Sequence, residues 1–531
     1  MSGDSRRAPS SRQRLASLVI VTIVAGIVVW RTQNDGDANA SAAAERSADT
    51  TAAPSAETTT PVSTDDTAVT PTTEPPPPPY EGLVDPASFG RGWSTDVPGV
   101  LTFRGNPTRS YYGRGPVPTS PRVLWRFPAD GGGLCSTSTD QHGARVWCGT
   151  GWTGQPNVWE NPTDGRLWLA FGAYDAAYHF LDPATGERRL PDFETGDINK
   201  GSATVDPDGY PLYYAGSRDN FLRVIALDRA EPTELWALNA NAVSPTKWNN
   251  DWDGAPIVID DYLFEGGENS QFHIVKLNRG YGADGKVTVA PQLVFNAPGW
   301  DQELLDNIGN NEVSIENSVA IVGNTVYFAN SGGLLQGWDI STLAEGGSPA
   351  RVFRFWTGDD TDATVVADDE GFLYVASEYE RGNARSREIG QLMKIDPRRA
   401  DNPLVWSYHD ELATGGTTAG IWSTPAVHDD LVVTTTNAGK VVGLDRATGA
   451  VRWEFKLAGP VWQSPVIVDD TLIQGDCLGV LRAYDLSDTT VLPPMKWQLE
   501  IGGCIEATPT VWDGRIYFGT RAGGFYAVGD A

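Results

Sequence analysis

The sequence predicts an all-β, eight-bladed β-propeller on three observations. A strand–turn pattern recurs from about residue 130 to the end, its third strand closes on an Asp or Asn turn at blade-like spacing, and 19 Trp and 58 Gly stand against 3 Met in 531 residues. Abundant Gly suits many tight turns, and Trp supplies large plugs for the seams between sheets.

The chain begins with Arg6, Arg7, Arg12 and Arg14, then the apolar run Leu15 to Trp30, then Arg31. Basic residues before an apolar run mark a single-pass anchor with residues 1–14 cytoplasmic and everything beyond 31 exported. At ~1.5 Å per residue the run reaches ~24 Å, so interfacial Trp30 and snorkelling arginines must complete the span. A cleaved signal is the alternative: Ala38-Asn39-Ala40 is an acceptable small-x-small site, but it lies well beyond the run, and cleavage there would make the product secreted. Residues 31–79 are Ala, Thr, Ser, Pro and acid, ending in Pro75 to Pro79, and predict a disordered, semi-extended linker. The propeller is expected from 80 to 531.

The fullest copy of the repeat runs Ser423-Thr424-Pro425-Ala426-Val427, a strand pair, Asp445-Arg446-Ala447-Thr448-Gly449 and Trp453. The turn marker falls at Asp182, Asp228, Asn278, Asp339, Asp396, Asp445 and Asp485. Its carboxylate accepts from the following amides and the Gly takes a positive φ. A bulky residue follows each time: Leu190, Trp236, Phe295, Phe353, Trp406, Trp453 and Trp497. Packing between blades accounts for these better than a ligand box does.

Eight inner-strand starts are countable: GLCSTST, KGSATVD, DGAPIVID, ENSVAIV, TDATVVA, STPAVHD, QSPVIVD and EATPTVW. The last copy is one strand short, and Val123 to Phe127 is one strand too many before the first. The N-terminal strand is therefore expected to complete the final blade and remove the open edges. Seven blades, with Cys135 to Gly186 as an embellishment, is the alternative.

The segment Gly443 to Trp453 resembles the tryptophan-docking repeat of pyrroloquinoline-quinone (PQQ) propellers, A-x-D-x-x-T-G-x-x-x-W, and Phe180 to Leu190 fits the same frame through Asp182. Residues 102 to 128 resemble the stretch that introduces such propellers. The resemblance implies a choice between a binding scaffold and a PQQ- and Ca²⁺-dependent dehydrogenase. The enzymes of the family cover the quinone with a disulfide between adjacent cysteines; no two cysteines are adjacent here, and no haem-attachment C-x-x-C-H occurs. Glu316-Asn317 could stand for part of a calcium pair, and Trp422 or Trp462 for the cofactor's floor, without an extended motif. The expectation is a non-catalytic module for a protein or envelope-polymer ligand, with no cofactor; PQQ with Ca²⁺ is the alternative.

Four cysteines in an exported chain allow three pairings. Blade position favours Cys135 with Cys148 across a hairpin, and Cys477 with Cys504 between adjacent blades. With no C-x-x-C and the histidines scattered at His142, His179, His273, His409 and His428, no metal site and no nucleophile–base constellation is expected. Aligning the inner-strand copies places Lys200, Asp253, Glu316, Thr361, Trp422, Trp462 and Glu506 at one level around the channel. Carboxylates and indoles there suit a cation, a sugar or a peptide terminus, while plain channel plugging is the rival account. The loops Asn249 to Asp253 and Asn307 to Glu312 are oxygen-rich but lack the alternation of a calcium loop, so turn formation comes first. A formal net charge of −28 argues against nucleic acid as a partner.

Overall fold

The computed structural model describes residues 80–140, 143–151, 154–410 and 419–531. The expected anchor and linker lie outside that range, and among the described residues no helix is long and apolar enough to cross a membrane.

Eight sheets of four or five strands form the blades. The innermost strands of the repeats are Asn157–Asn161, Thr204–Val205, Ile257–Ile259, Ala320–Val322, Val366–Ala367, Ala426–His428, Val466–Val468 and Thr510–Trp512, which number blades 1 to 8; in blades 1 and 8 the short strands Gly99–Val100 and Gly113–Arg114 add a fifth strand on the axial side. Blade 6 shows the plan, with Ala426–His428, Leu431–Thr435, Lys440–Asp445 and Val451–Lys456 paired antiparallel in order. Each middle strand is covered on both faces by neighbouring blades. Leu431, Val432, Val433, Val441 and Val442 are accordingly all buried, and the sequence reads as a continuous apolar run rather than an alternation.

The strand Arg122–Phe127 pairs with Phe525–Gly529 and completes blade 8, as the strand count required. One copy in that count was misplaced. Cys135–Asp140 pairs with Gly143–Cys148 as a two-stranded hairpin outside the blades, and blade 1 starts at Asn157 instead. Both disulfides, Cys135–Cys148 and Cys477–Cys504, are present as expected.

The turn chemistry holds the ring together at its rim. Asp445 Oδ1 accepts from the Ala447 and Thr448 amides, and Gly449 sits at φ +74° with the Trp406 ring against it. Trp406, on the outer strand of blade 5, donates its indole N–H to Arg446 O in that turn. Trp453, Trp497 and Trp125 dock in the same way, on Thr489 O, Pro118 O and Pro183 O. The tryptophans are thus seam plugs with one satisfied polar handle.

At the axis a second belt runs between blades. Backbone N–H groups of Gln155, Ala255, Ser318, Thr364 and Thr424 donate to the hydroxyls of Ser202, Ser318, Thr364, Thr424 and Ser464, each on the next blade, at 2.8–3.1 Å. Residues 101–112 fill the ring's centre at the level where the innermost strands begin. Leu101 O, Pro107 O and Thr108 O accept from Val205, Ile321 and Ala367. Arg104, fully buried, donates to the carbonyls of Thr424, Pro425 and Pro465, and Arg109 to those of Val319 and Ala255. Burial lowers these guanidinium pKa values to about 10 and about 9, so both remain cations at neutral pH. This segment, not the tryptophans, plugs the channel.

Candidate functional site

In blades 2 to 8 the residue four positions before the innermost strand is Lys200, Asp253, Glu316, Asp362, Trp422, Trp462 and Glu506. All but Asp253 line a cavity of about 970 Å³, and Asp253 is buried against Lys200. The structure therefore gathers the residues expected at one level, with one correction in blade 5. Thr361 is fully buried, its hydroxyl on Asp359 O, and Asp362 takes the place at the cavity. TDATVVA has no proline to fix its frame, unlike DGAPIVID, STPAVHD, QSPVIVD and EATPTVW; Thr364, not Ala363, occupies the belt position held by Ser318 and Thr424.

The hairpin Cys135–Cys148 supplies one wall through Thr139, Asp140, Arg145 and Trp147. Cys135 and Cys148 face each other directly in the pairing, so the disulfide ties the hairpin's base. Trp147 is ringed by guanidinium groups: Arg145, Arg218 and Arg521 lie 4.7, 5.5 and 5.0 Å from its centroid. Opposite, Trp422 and Trp462 pack edge to face at 5.6 Å. The loop Asn249 to Asp251 lines the cavity, whereas Asn307 and Ile308 end the short helix Gln302–Ile308 away from it.

Two groups of buried carboxylates lie on blades 3 and 5, with Glu316 of blade 4 acting on both. In blade 3, Lys200 Nζ lies 2.5 Å from Asp253, 3.0 Å from Glu268 and 3.5 Å from Asp251, and Arg218 Nε lies 2.6 Å from Asp251. Burial by itself would lower the Lys200 pKa, but the three carboxylates raise it well above the ordinary value. Burial likewise opposes ionisation of Glu268, yet Lys200 and the hydrogen bonds hold it below the usual range. In blade 5, Asp360, Asp362 and Glu378 sit together without such a cation. Burial first, then mutual repulsion, pushes all three well above the carboxylate range. Glu316 is raised too, again by burial and then by Asp362, although Ser314 and Ser331 donate to it. In blade 8 Glu506 pairs with Arg521 at 2.9 Å.

Arg218, Glu268, Glu378 and Arg521 carry no sequence motif that marks them. They form a second tier, each two residues beyond a second blade strand; blade 1 carries a fifth charge there, Asp175, which pairs with His179. The histidines stay apart: His179 is clamped by Asp175 and Asp192, and His273 is buried behind Trp252.

Residues 390–529 match the PQQ-repeat family described as outer membrane protein assembly factor BamB. The match spans the outer half of blade 5 and blades 6 to 8 of an eight-bladed β-propeller. In fold the propeller is similar to the quinohemoprotein alcohol dehydrogenase of Comamonas testosteroni, at 14% identity over 82% of this chain and 81% of that one, with a TM-score of 0.52. The quinohemoprotein alcohol dehydrogenase ADHIIG of Pseudomonas putida HK5 gives 12% identity, 81% and 80% coverage and a TM-score of 0.54. Sqt1 of Saccharomyces cerevisiae gives 10%, 71% and 95%, with a TM-score of 0.50. At these identities the likeness concerns the fold alone. No curated protein matches the sequence.

Proposed function

We propose that the propeller is a membrane-tethered, extracytoplasmic binding module that holds a segment of a cell-envelope polymer in the cavity at the ring's axis. The carrying observation is the cavity wall. Trp147 and Trp462 both line it with buried indole N–H groups that have no hydrogen-bond partner, beside acidic side chains at the same level. Aromatic faces, unsatisfied N–H donors and carboxylate acceptors are what a sugar's C–H faces and hydroxyls require. The arginine-flanked run at 15–30 and the two disulfides support placing the domain outside the cytoplasmic membrane.

The quinoprotein reading draws on the fold likeness, but the residues do not fit it. Asn317, the second member of the suggested calcium pair, is fully buried. Its amide donates to Ala329 O and Thr361 O, and its oxygen accepts from Ala329 N–H, so it holds two blades together instead of facing the cavity. Each disulfide joins cysteines 13 or 27 positions apart, so neither is the adjacent-cysteine cover.

Tryptophan fluorescence of the full-length protein, titrated with soluble envelope-glycan fragments, tests the binding reading. A saturable change is expected, weakened roughly two- to tenfold by Trp462→Ala, the ~0.5–1.5 kcal/mol of one aromatic contact. Trp462 donates to no protein group, so its removal strands no partner. Indifference to every fragment, with a quinone absorbance and dye-linked oxidation when PQQ and Ca²⁺ are added instead, would reverse the choice.

A further inference from the structure

Blade 5 carries a second feature that the polymer reading does not use. Asp360 and Asp362 lie on the approach to its innermost strand, and Glu378 lies just beyond its second strand, Leu373–Ala376. One carboxylate oxygen from each lies within 4.8 Å of the other two. Asp362 is 6% exposed and Glu378 2%. The arms are fixed to each other, since Glu378 N–H donates to Asp360 O at 2.8 Å.

The hydrogen bonding is incomplete in a directed way. Asp362 Oδ2 accepts from Trp422 Nε1 at 3.0 Å, and its Oδ1 is buried with no partner. Asp360 Oδ1 is also buried and unpartnered. Among the described residues no Lys or Arg forms an ion pair with any of the three. Arg381, the cation that acts on Asp360, is itself bound to Glu312 and to the carbonyl of Ser331. Three buried carboxylates need a compensating positive charge or protons, because an uncompensated charge out of water is costly.

We propose that Asp360, Asp362 and Glu378 bind a Ca²⁺ ion at the edge of the cavity. The donors are all hard oxygens, with no His or Cys among them, which disfavours zinc. They come from two loops rather than an octahedral cage, which suits the larger and less exacting Ca²⁺ over Mg²⁺. Asp362 lines the cavity, so the ion's remaining coordination positions face the space where a ligand would sit. The site lies within a single blade and does not involve Asn317. The ion site does not depend on which polymer occupies the cavity. The other buried carboxylate trio, Asp251, Asp253 and Glu268, is already served by Lys200, and the third group, His428, Asp429 and Asp470, lies on the surface.

The test is a titration of full-length, chelator-stripped protein with Ca²⁺ by calorimetry, and with Tb³⁺ by luminescence excited through tryptophan, Trp422 being in contact with Asp362. One saturable site is expected, half-filled between roughly 10⁻⁵ and 10⁻³ M Ca²⁺, the range of exported calcium modules and weaker sensors, and weakened about tenfold or more in Glu378→Gln and in Asp360→Asn. Asp470→Asn should leave the titration unchanged. Both neutral variants relieve repulsion, so they should fold, and their thermal melts would show it. A wild-type protein that takes up no Ca²⁺ by millimolar concentration overturns the proposal, as does uptake undiminished in both variants.

Discussion

Blades 3 and 5 offer the same three-carboxylate grouping in one cavity and solve it differently. Asp251, Asp253 and Glu268 enclose a lysine from the neighbouring blade; Asp360, Asp362 and Glu378 have Glu316 on one side and Trp422 on the other. The level is the same, four residues before the innermost strand, and the preceding blade's residues differ: Lys200 and Arg218 of blade 2 beside one trio, Glu316 and Asn330 of blade 4 beside the other. Charge balance at this ring is therefore decided across blade boundaries. A propeller with uniform geometry can carry a closed ion network on one side and an open, cation-hungry one on the other.

The largest effect should come from Lys200. Its side chain is 13% exposed and touches three carboxylates that are 1–3% exposed, so Lys200→Met strands buried charge. Breaking a buried pair by removing one partner costs about 3–5 kcal/mol. Urea melts of the variant should show that loss, with part recovered on adding Asp253→Asn. A loss below about 1 kcal/mol would mean that blade 3 does not depend on its lysine, and the contrast with blade 5 would collapse.

Acid provides the next test, because it adds a cation behind blade 3. His273 packs on Trp252 at 4.9 Å between ring centroids, and its Nε2 faces Asn269 Nδ2 at 3.3 Å. Burial lowers its pKa to about 4, with only partial relief from the Glu265 backbone. Between pH 6.5 and about 4 the unfolded chain binds a proton that the folded chain refuses, so stability must fall as pH drops through that window. The full contribution is about 3 kcal/mol. Stability curves of wild type and His273→Asn should converge as pH falls from 7 to 4; parallel curves would show that His273 titrates normally.

How much of this was legible beforehand follows from where the information lies. The blade count, the closing strand and both disulfides rest on local spacing, and so does the ring level, because four residues separate it from each inner strand. Blade 1 was misread through Cys135 to Asp140, although Gln155-Pro156-Asn157-Val158 carries the same x-Pro-x-Val signal as Ala255 to Val258. The plug was out of reach. Arg104 finds an acceptor 361 residues away, and its partners are backbone carbonyls that no side-chain pattern marks. Glu378 and Arg521 belong to a tier defined by strand ends, and strand ends are the least readable boundaries in a sequence.

The smallest effect separates the two trios by sign. In blade 3 each carboxylate is held by Lys200, so neutralising one removes an attraction. In blade 5 burial and the repulsion of Glu378 and Glu316 act on Asp360, offset in part by Arg381 and by a hydrogen bond with Asp362. Neutralising Asp360 should remove a repulsion while the amide keeps the shape. In chelator-treated protein Asp360→Asn is therefore expected to raise stability, by on the order of 1 kcal/mol, whereas Asp253→Asn lowers it. Added Ca²⁺ should reverse the order at blade 5, because only the wild type gains binding energy from the ion. Thermal melts of the two variants with and without Ca²⁺ read both signs in one experiment. Destabilisation by Asp360→Asn in the absence of divalent cations would mean that protons shared between Asp360 and Asp362 already satisfy the blade-5 trio, making the two sides of the cavity alike.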